Sequence, residues 1–204
     1  HDILEDWALI RYIKDVKSNC SSLIDFFDSI GNEPAIRRSF RLWVNEELEE
    51  NPNKILNIVP ELIGNTVVSD YWVDEFLISI FRSDFSKSFF TAHKNDLLKD
   101  DGRFLSRCIS LLTTTCKEKL WETENIESLV PIGNGWEEMV EFINSNIENI
   151  GIAKYYVLKL MLDWKVKFYS YPELTAASKS AFGIAIYLFE QLKNPKSEWT
   201  DLND

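Results

Sequence analysis

Cysteine and histidine, which can act together as a nucleophile and its base, are few in this 204-residue chain, which has three cysteines and two histidines. His93 is the histidine inside the chain, and a zinc site or an HExxH helix needs at least two histidines. A Cys–His nucleophilic pair needs a thiol beside the histidine and a third group that orients it. Cys108 and Cys116 are the nearest thiols in sequence, but both fall on an apolar helical stripe, and that position favours packing over catalysis.

Carboxylates are abundant, with 33 Asp and Glu residues that concentrate in runs such as 46–50 and 100–101. A general acid–base pair needs two carboxylates on facing elements, whereas acidic runs at helix ends are mostly solvated. No paired set stands out by its spacing. A small all-helical enzyme that uses scattered Asp and Glu residues, with or without the assistance of a metal ion, is therefore the alternative function.

Gly133-Asn134-Gly135 is the segment that most resembles a glycine-rich phosphate cradle. No Lys-Ser or Lys-Thr follows it and no strand pattern precedes it, although a P-loop requires both. We therefore interpret the segment as a loop or a helix start. The sequence predicts no cofactor, no metal site and no catalytic residue.

A basic group formed by Arg37, Arg38 and Arg41 departs from the acidic background. Arg37 and Arg41 are one helical turn apart and share a face. Two interpretations stay open. The arginines form salt bridges with Glu33, with Glu46 or with a neighbouring helix, or they form a contact surface for an acidic or phosphorylated partner. These three arginines are the predicted partner-binding residues.

The elements that position these residues follow from apolar residues at three- and four-residue steps, which is the period of an amphipathic helix. Turn residues are sparse, with seven Gly and six Pro, and this favours long helices over many short strands. The stripes predict an all-α fold of about ten helices packed as antiparallel pairs. An α-solenoid of the HEAT-like kind and an irregular helical bundle both fit this pattern. No consensus of about 34 residues repeats, so tetratricopeptide and ankyrin arrays are not supported.

Residues 1–193 are predicted to form a single helical domain or repeat array, and 194–204 a polar tail. Residues 117–135 lack a clear period, so a subdivision of the domain is expected at this connection. A short helical turn is predicted within it, at 123–127. The chain begins with His1 rather than Met, and we expect it to be a piece of a longer polypeptide.

Four tryptophans lie on apolar stripes and are predicted core residues: Trp7, Trp43, Trp136 and Trp164. Truncating a buried tryptophan to alanine costs about 3–5 kcal/mol, so the placement of these side chains weighs heavily in the stability of the fold. The helix face that carries each tryptophan is therefore predicted to point inward.

A formal net charge of −11 restricts the classes of partner. Nucleic-acid binding needs clustered Lys and Arg that release counterions, and the same negative field disfavours an anionic membrane surface. The sequence therefore predicts a protein partner, or other domains of the parent chain, and neither nucleic acid nor membrane. Three cysteines make no disulfide framework, and no apolar run approaches the roughly 20 residues of a membrane span, which together predict a cytoplasmic protein.

Several blocks of aromatic, leucine and aspartate residues share the rhythm of a known class of helical segments. These blocks are 71–77, which opens with Tyr71-Trp72, then 89–90, 95–102, 104–107, 135–143, which opens with Gly135-Trp136, and 157–164. Over roughly residues 36–190 the chain resembles the helical region that follows the ATPase core of large prokaryotic STAND-type NTPases, some of which are antiviral sensors. The family's nucleotide-binding motifs do not occur in the chain, so the resemblance carries over no catalytic residue. It implies a helical connector or sensor that makes contacts and relays conformational change.

The preferred function is therefore non-catalytic. We expect a helical interaction or scaffold segment of a larger intracellular protein. Such a segment binds protein partners or relays conformational change to other domains.

Overall fold

The computed structural model describes residues 3–64, 67–122, 126–170 and 175–193. Within these ranges the fold is an all-α bundle with one small two-stranded sheet, which confirms the predicted class. The helices are α1 Ile3–Asn19, α2 Leu23–Ile30, α3 Pro34–Glu50, α4 Pro52–Leu56, α5 Val59–Gly64, α6 Asp70–Arg82, α7 Ser86–Ala92, α8 Lys94–Leu98, α9 Arg103–Thr115, α10 Gly135–Asn146, α11 Lys154–Ser170 and α12 Ala176–Lys193. The strands are β1 Lys117–Glu122 and β2 Ile126–Pro131. The tail predicted at 194–204 lies outside the described residues.

Local sequence signals account for the helix ends near the start of the chain. The Ser22 hydroxyl accepts a hydrogen bond from the backbone N–H of Asp25 at 3.1 Å and caps α2. Gly31 ends α2 with a φ of 78°, a conformation that costs glycine little. Pro34 begins α3, where a missing N–H removes no helical hydrogen bond. Pro60 lies in the first turn of α5 and marks the start of a new helix rather than a kink.

The core is centred on α6, which contacts α3, α7, α9 and α10. Its buried residues are Trp72, Val73, Phe76, Leu77, Ile78, Ser79, Ile80 and Phe81. An aromatic group joins this helix to α2 and α3, with ring centroids of Phe40 and Trp72 4.9 Å apart. Buried side chains from Ile13 in α1 to Ile184 in α12 belong to one hydrophobic cluster. The subdivision expected at 117–135 stays a prediction.

A β-hairpin occupies most of the connection that lacks a helical period. β1 and β2 pair in antiparallel register, from Lys117 opposite Pro131 to Glu122 opposite Ile126. The short helical turn predicted at 123–127 is wrong at 126–127, which lie in β2, and 123–125 lie outside the described residues. The two strands satisfy their backbone hydrogen bonds by pairing with each other, and no helical period in the sequence signals that pairing.

The Gly133–Gly135 segment is a helix start, as the sequence indicated, and Gly135 begins α10. Gly133 has a φ of 84°, and a Cβ added there would lie 2.5 Å from the carbonyl oxygen of Phe81. The close approach of this turn to α6 therefore requires glycine. Trp136, which follows, donates its indole N–H to the carbonyl oxygen of Cys116 at 2.9 Å and ties α10 to the end of α9.

Three of the four predicted core tryptophans are buried: Trp43 is 3% exposed, Trp136 0% and Trp164 5%. Trp7 is 61% exposed, so its predicted place in the core is wrong. α1 buries Ile13, further along the same stripe, and leaves its first turns outside the core. Periodicity identifies the apolar face of a helix, but the length of that face that a neighbour covers depends on the tertiary fold.

Candidate functional site

The helix α11 is apolar on two opposite faces. Val157 and Leu160 are fully buried, on the side of α11 that packs toward α9 and β2. Leu158 and Leu162 lie four residues apart on the opposite side and are 55% and 59% exposed. An amphipathic surface helix places polar residues on its outer face, so this outer face departs from the usual pattern.

The helix α12 repeats this arrangement. Ala177 and Ile184 are buried where α12 packs toward α10. Phe182 and Ile186 lie on the outward side and are 68% and 45% exposed. We call the two pairs, Leu158 with Leu162 and Phe182 with Ile186, the outer apolar stripes. α11 and α12 contact each other, and α9 and α10 beneath them are also in contact, so the stripes lie on the same outer layer of the bundle.

Lysines border both stripes. Lys159 and Lys179 are exposed, and each precedes a stripe residue, Leu162 or Phe182, by three positions. Residues three apart on a helix are neighbours on its surface. The sequence of α11 contains four lysines and a single acidic residue, Asp163, which forms an ion pair with Lys117 at 2.7 Å. Exposed apolar side chains and the exposed lysines Lys159 and Lys179 therefore lie together on α11 and α12, in a chain whose net charge is −11.

The three predicted partner-binding arginines all make contacts within the chain. Arg38 donates its Nε–H to Asp6 of α1 at 2.8 Å and also pairs with Glu5. The structure thus contains the inter-helix salt bridges that the first interpretation of this group predicted. Their role in docking a partner stays a prediction.

Arg37 and Arg41 face α6. The Arg37 guanidinium carbon lies 4.4 Å from the centroid of the Tyr71 ring, and its Nε–H donates to the carbonyl oxygen of Asn32. Arg41 Nε lies 3.0 Å from Glu75 Oε2. Burial raises the pKa of Glu75 above its ordinary value, and the nearby Arg41 and Arg37 oppose that shift. The dominance of burial means that the two guanidinium groups only partly offset the desolvation of this carboxylate.

His93 is a buried structural residue. Its Nε2 lies 3.0 Å from the carbonyl oxygen of Leu56, and its Nδ1 lies 3.2 Å from Asp96 Oδ2. These contacts join α8 to the end of α4, and the ring packs 5.3 Å from that of Phe89. Both ring nitrogens face an oxygen acceptor, which is the arrangement of a side chain that ties two elements together.

The thiols of Cys108 and Cys116 are buried and belong to the hydrophobic core. Burial raises the pKa of both thiols, which disfavours the thiolate that a nucleophile needs. Within the described residues, neither thiol forms a hydrogen bond with His93. The positions of the two cysteines agree with the packing role that their spacing indicated.

An open cavity of about 750 Å³ lies where α8 meets α9. Its charged lining residues are Asp96, Lys99, Asp100, Asp101, Arg103 and Arg107. Three carboxylates and three cations therefore line the cavity, and Arg107 is already bound to Asp70 and Asp74 of α6. Across the part of the chain that the structure describes, no group of three or more His, Cys, Asp or Glu residues is arranged to hold a metal ion.

The turn beside this cavity is strained. Asp100, Asp101 and Gly102 have φ values of 49°, 59° and 71°, which are left-handed in three successive residues. A Cβ added to Gly151 would lie 2.2 Å from the carbonyl oxygen of Asp101, so the turn packs directly on the backbone before α11. This packing holds the unfavourable conformation in place and positions the start of α11.

No protein-family model and no curated protein matches the chain. The resemblance to the helical region of STAND-type NTPases accordingly stays a prediction. None of the described helices has the length and apolar content needed to cross a membrane. The outer apolar stripes of α11 and α12 are therefore identified as the candidate site by their exposure alone.

The outer apolar stripes were not singled out from the sequence. On α11, the periodic apolar residues Leu160 and Trp164 identify the buried face of the helix. The signal that identifies the second face is the recurrence of Leu158 and Leu162 at a spacing of four, directly opposite Leu160. A helix with apolar residues on both sides is typical of one that is covered on both sides.

Proposed function

We propose that the chain is a non-catalytic helical interaction segment that binds a protein partner, or another part of a longer parent chain, through the outer apolar stripes. The observation that carries this proposal is the exposure of Leu158, Leu162, Phe182 and Ile186 on the outer layer formed by α11 and α12. Large exposed apolar patches typically mark an interaction site, and these four side chains belong to two helices that contact each other.

Burial of these four side chains by a partner is favourable in free energy. Fully burying a leucine, isoleucine or phenylalanine side chain is worth about 1.5–3 kcal/mol relative to leaving it exposed. Four such side chains supply the apolar centre of an interface, whose remaining contacts must offset the loss of translational and rotational freedom. Lysines at the border supply the polar rim that interfaces usually have.

The wider role that we propose is that of a connector or sensor segment, as in the STAND-type NTPases that the sequence resembles, including those with an antiviral role. Two features support the relay of conformational change between the two ends of the helical segment. One hydrophobic cluster extends from α1 to α12, and ion pairs of Arg38, Arg41 and Arg107 link α1, α3, α6 and α9 in succession.

We further propose a cytoplasmic location, which the three free cysteines support because reducing compartments keep thiols unpaired.

Cysteine accessibility tests whether the stripes are covered. Leu162→Cys and Phe182→Cys, each combined with Cys20→Ser because Cys20 is itself partly exposed, are labelled with a maleimide in the isolated segment and in the native cellular context. We expect rapid labelling in the isolated segment and at least about tenfold slower labelling in the native context, because a partner covers the stripes. Cysteine at Glu49, which is exposed and lies near the end of α3, serves as the matched control and should react equally in both settings. Equal rates at the stripe positions in both settings would contradict the proposal.

A further inference from the structure

We infer that the partner of the outer apolar stripes is an acidic amphipathic helix of another protein or domain. This inference rests on the proposed function and specifies the chemistry of its partner. It follows from the spacing of the stripe residues and from the charge that surrounds them.

The spacing suits a helix. Leu158 and Leu162 are one turn apart on α11, and Phe182 and Ile186 are one turn apart on α12. Successive turns rise about 5.4 Å, so each stripe presents anchors with the repeat that a partner helix uses for its own apolar residues at i and i+4. Amphipathic helices bind apolar helical surfaces with this pattern of anchors.

The charge selects an acidic partner. The sequences of α11 and α12 together contain six lysines against Asp163 and Glu190, a formal charge of +4 in a chain of −11. Lys159 precedes Leu162 by three positions on α11, and Lys179 precedes Phe182 by three positions on α12, so each stripe has an exposed lysine beside it. A helix with apolar residues on one face and Asp or Glu along its edges places carboxylates opposite both lysines. Complementary charges of this kind speed association and set the register of the partner.

A second copy that docks through the same face is disfavoured by this charge. An isologous interface brings the same patch of both subunits together, so lysines would face lysines across it. An anionic membrane is disfavoured by the rest of the molecule, because the residues outside α11 and α12 are strongly acidic and are repelled by the lipid surface. An acidic helix satisfies both the apolar and the basic character of the surface.

Fluorescence anisotropy with a defined probe tests the inference. The probe is a fluorescein-labelled synthetic peptide of Leu, Ala and Glu, about 18 residues or five helical turns long, with its leucines on one face. Two comparison peptides have the same composition in scrambled order, or lysine in place of glutamate. We expect the acidic amphipathic peptide to bind at least about tenfold more tightly than either, with an affinity that falls as salt rises.

Variants of the protein separate the contributions of charge and apolar contact. Lys159→Glu with Lys179→Glu should weaken peptide binding at least about tenfold, and Leu162→Glu should do the same, both with an unchanged circular dichroism spectrum. Lys94→Glu with Lys99→Glu makes the same change of charge at exposed positions on α8 and just after it, and should leave binding within about twofold.

Other outcomes overturn the inference. Equal binding of the basic or scrambled peptide, binding only to vesicles of anionic phospholipid, or self-association in sedimentation that Leu162→Glu abolishes would each show a different occupant. If the stripe cysteines are protected in the native context but the acidic peptide does not bind preferentially, the proposed function stands and the acidic helix is wrong. If the cysteines are not protected, the proposed function itself fails.

Discussion

Arg41 Nε of α3 lies 3.0 Å from Glu75 Oε2 of α6. Residues 34 positions apart thus form one of the ties that connect successive helices of the bundle. Arg38 makes the corresponding contact from α3 to Asp6 of α1, and Arg107 makes it from α9 to Asp74 of α6. An arginine cluster that is conspicuous in an acidic sequence therefore contributes to the internal electrostatics of the fold.

Replacing both Arg37 and Arg41 with glutamate should destabilise the protein. The largely buried Glu75 would lose its nearest cation and gain two carboxylates on the facing helix. We expect the free energy of unfolding, measured by urea denaturation, to fall by about 1–2 kcal/mol, since the arginines are themselves partly exposed and screened. Lys94→Glu with Lys99→Glu is the control for the change in net charge. Unchanged stability together with lost partner binding would instead support the docking role predicted for these arginines.

The pKa of Glu75 predicts a pH dependence of stability. Because burial raises its pKa in the folded state, the folded protein retains this proton at pH values where the unfolded chain has lost it. The contribution of Glu75 therefore declines as pH rises from about 4 through the folded pKa, and is constant above it. Glu75→Gln removes the titrating group and with it this pH-dependent contribution to stability. The free energy of unfolding of the wild type, measured by urea titration, should therefore fall relative to that of the variant as pH rises from about 4 through the folded pKa of Glu75. A relative gain of stability by wild type would mean that the attraction of Arg41 dominates.

The three thiols should differ in reactivity. Cys20 is partly exposed, whereas Cys108 and Cys116 are buried and their pKa values are raised by that burial. We expect Ellman's reagent to modify Cys20 first and the other two only after unfolding, because the thiolate is the reacting form. Mass spectrometry of the labelled peptides identifies the sites, and urea-unfolded protein is the control that all three thiols are available. Rapid labelling of Cys116 in folded protein would contradict its buried position.

Substitutions at two tryptophans provide three tests of stability. Trp136→Ala removes a fully buried indole and its hydrogen bond to Cys116, and should cost about 3–5 kcal/mol. Trp136→Phe keeps most of the apolar volume and should cost about 1–3 kcal/mol, because the carbonyl oxygen of Cys116 loses its donor. Trp7→Ala should change the free energy of unfolding by less than about 0.5 kcal/mol, since that ring is exposed. Far-ultraviolet circular dichroism during urea unfolding measures all three.

Local sequence determined the helical elements of this protein and many of their ends. The period of the apolar residues specifies helices because neighbours three and four positions apart share a face in any helix. The cap made by Ser22 and the termination at Gly31 depend on backbone and side-chain geometry within a single turn. The packing role of Cys108 likewise follows from its position on an apolar stripe.

Tertiary structure alone decided where those helices cover one another. Trp7 and Ile13 belong to one sequence stripe, yet only Ile13 is buried, because the neighbouring elements cover only the later part of α1. The pairing of β1 with β2 and the ion pair of Arg41 with Glu75 join residues that no local period relates. The exposure of Leu162 and Phe182 is likewise decided by tertiary packing. Which of two apolar faces is left uncovered depends on contacts between residues far apart in the chain, and these are formed only when the helices pack.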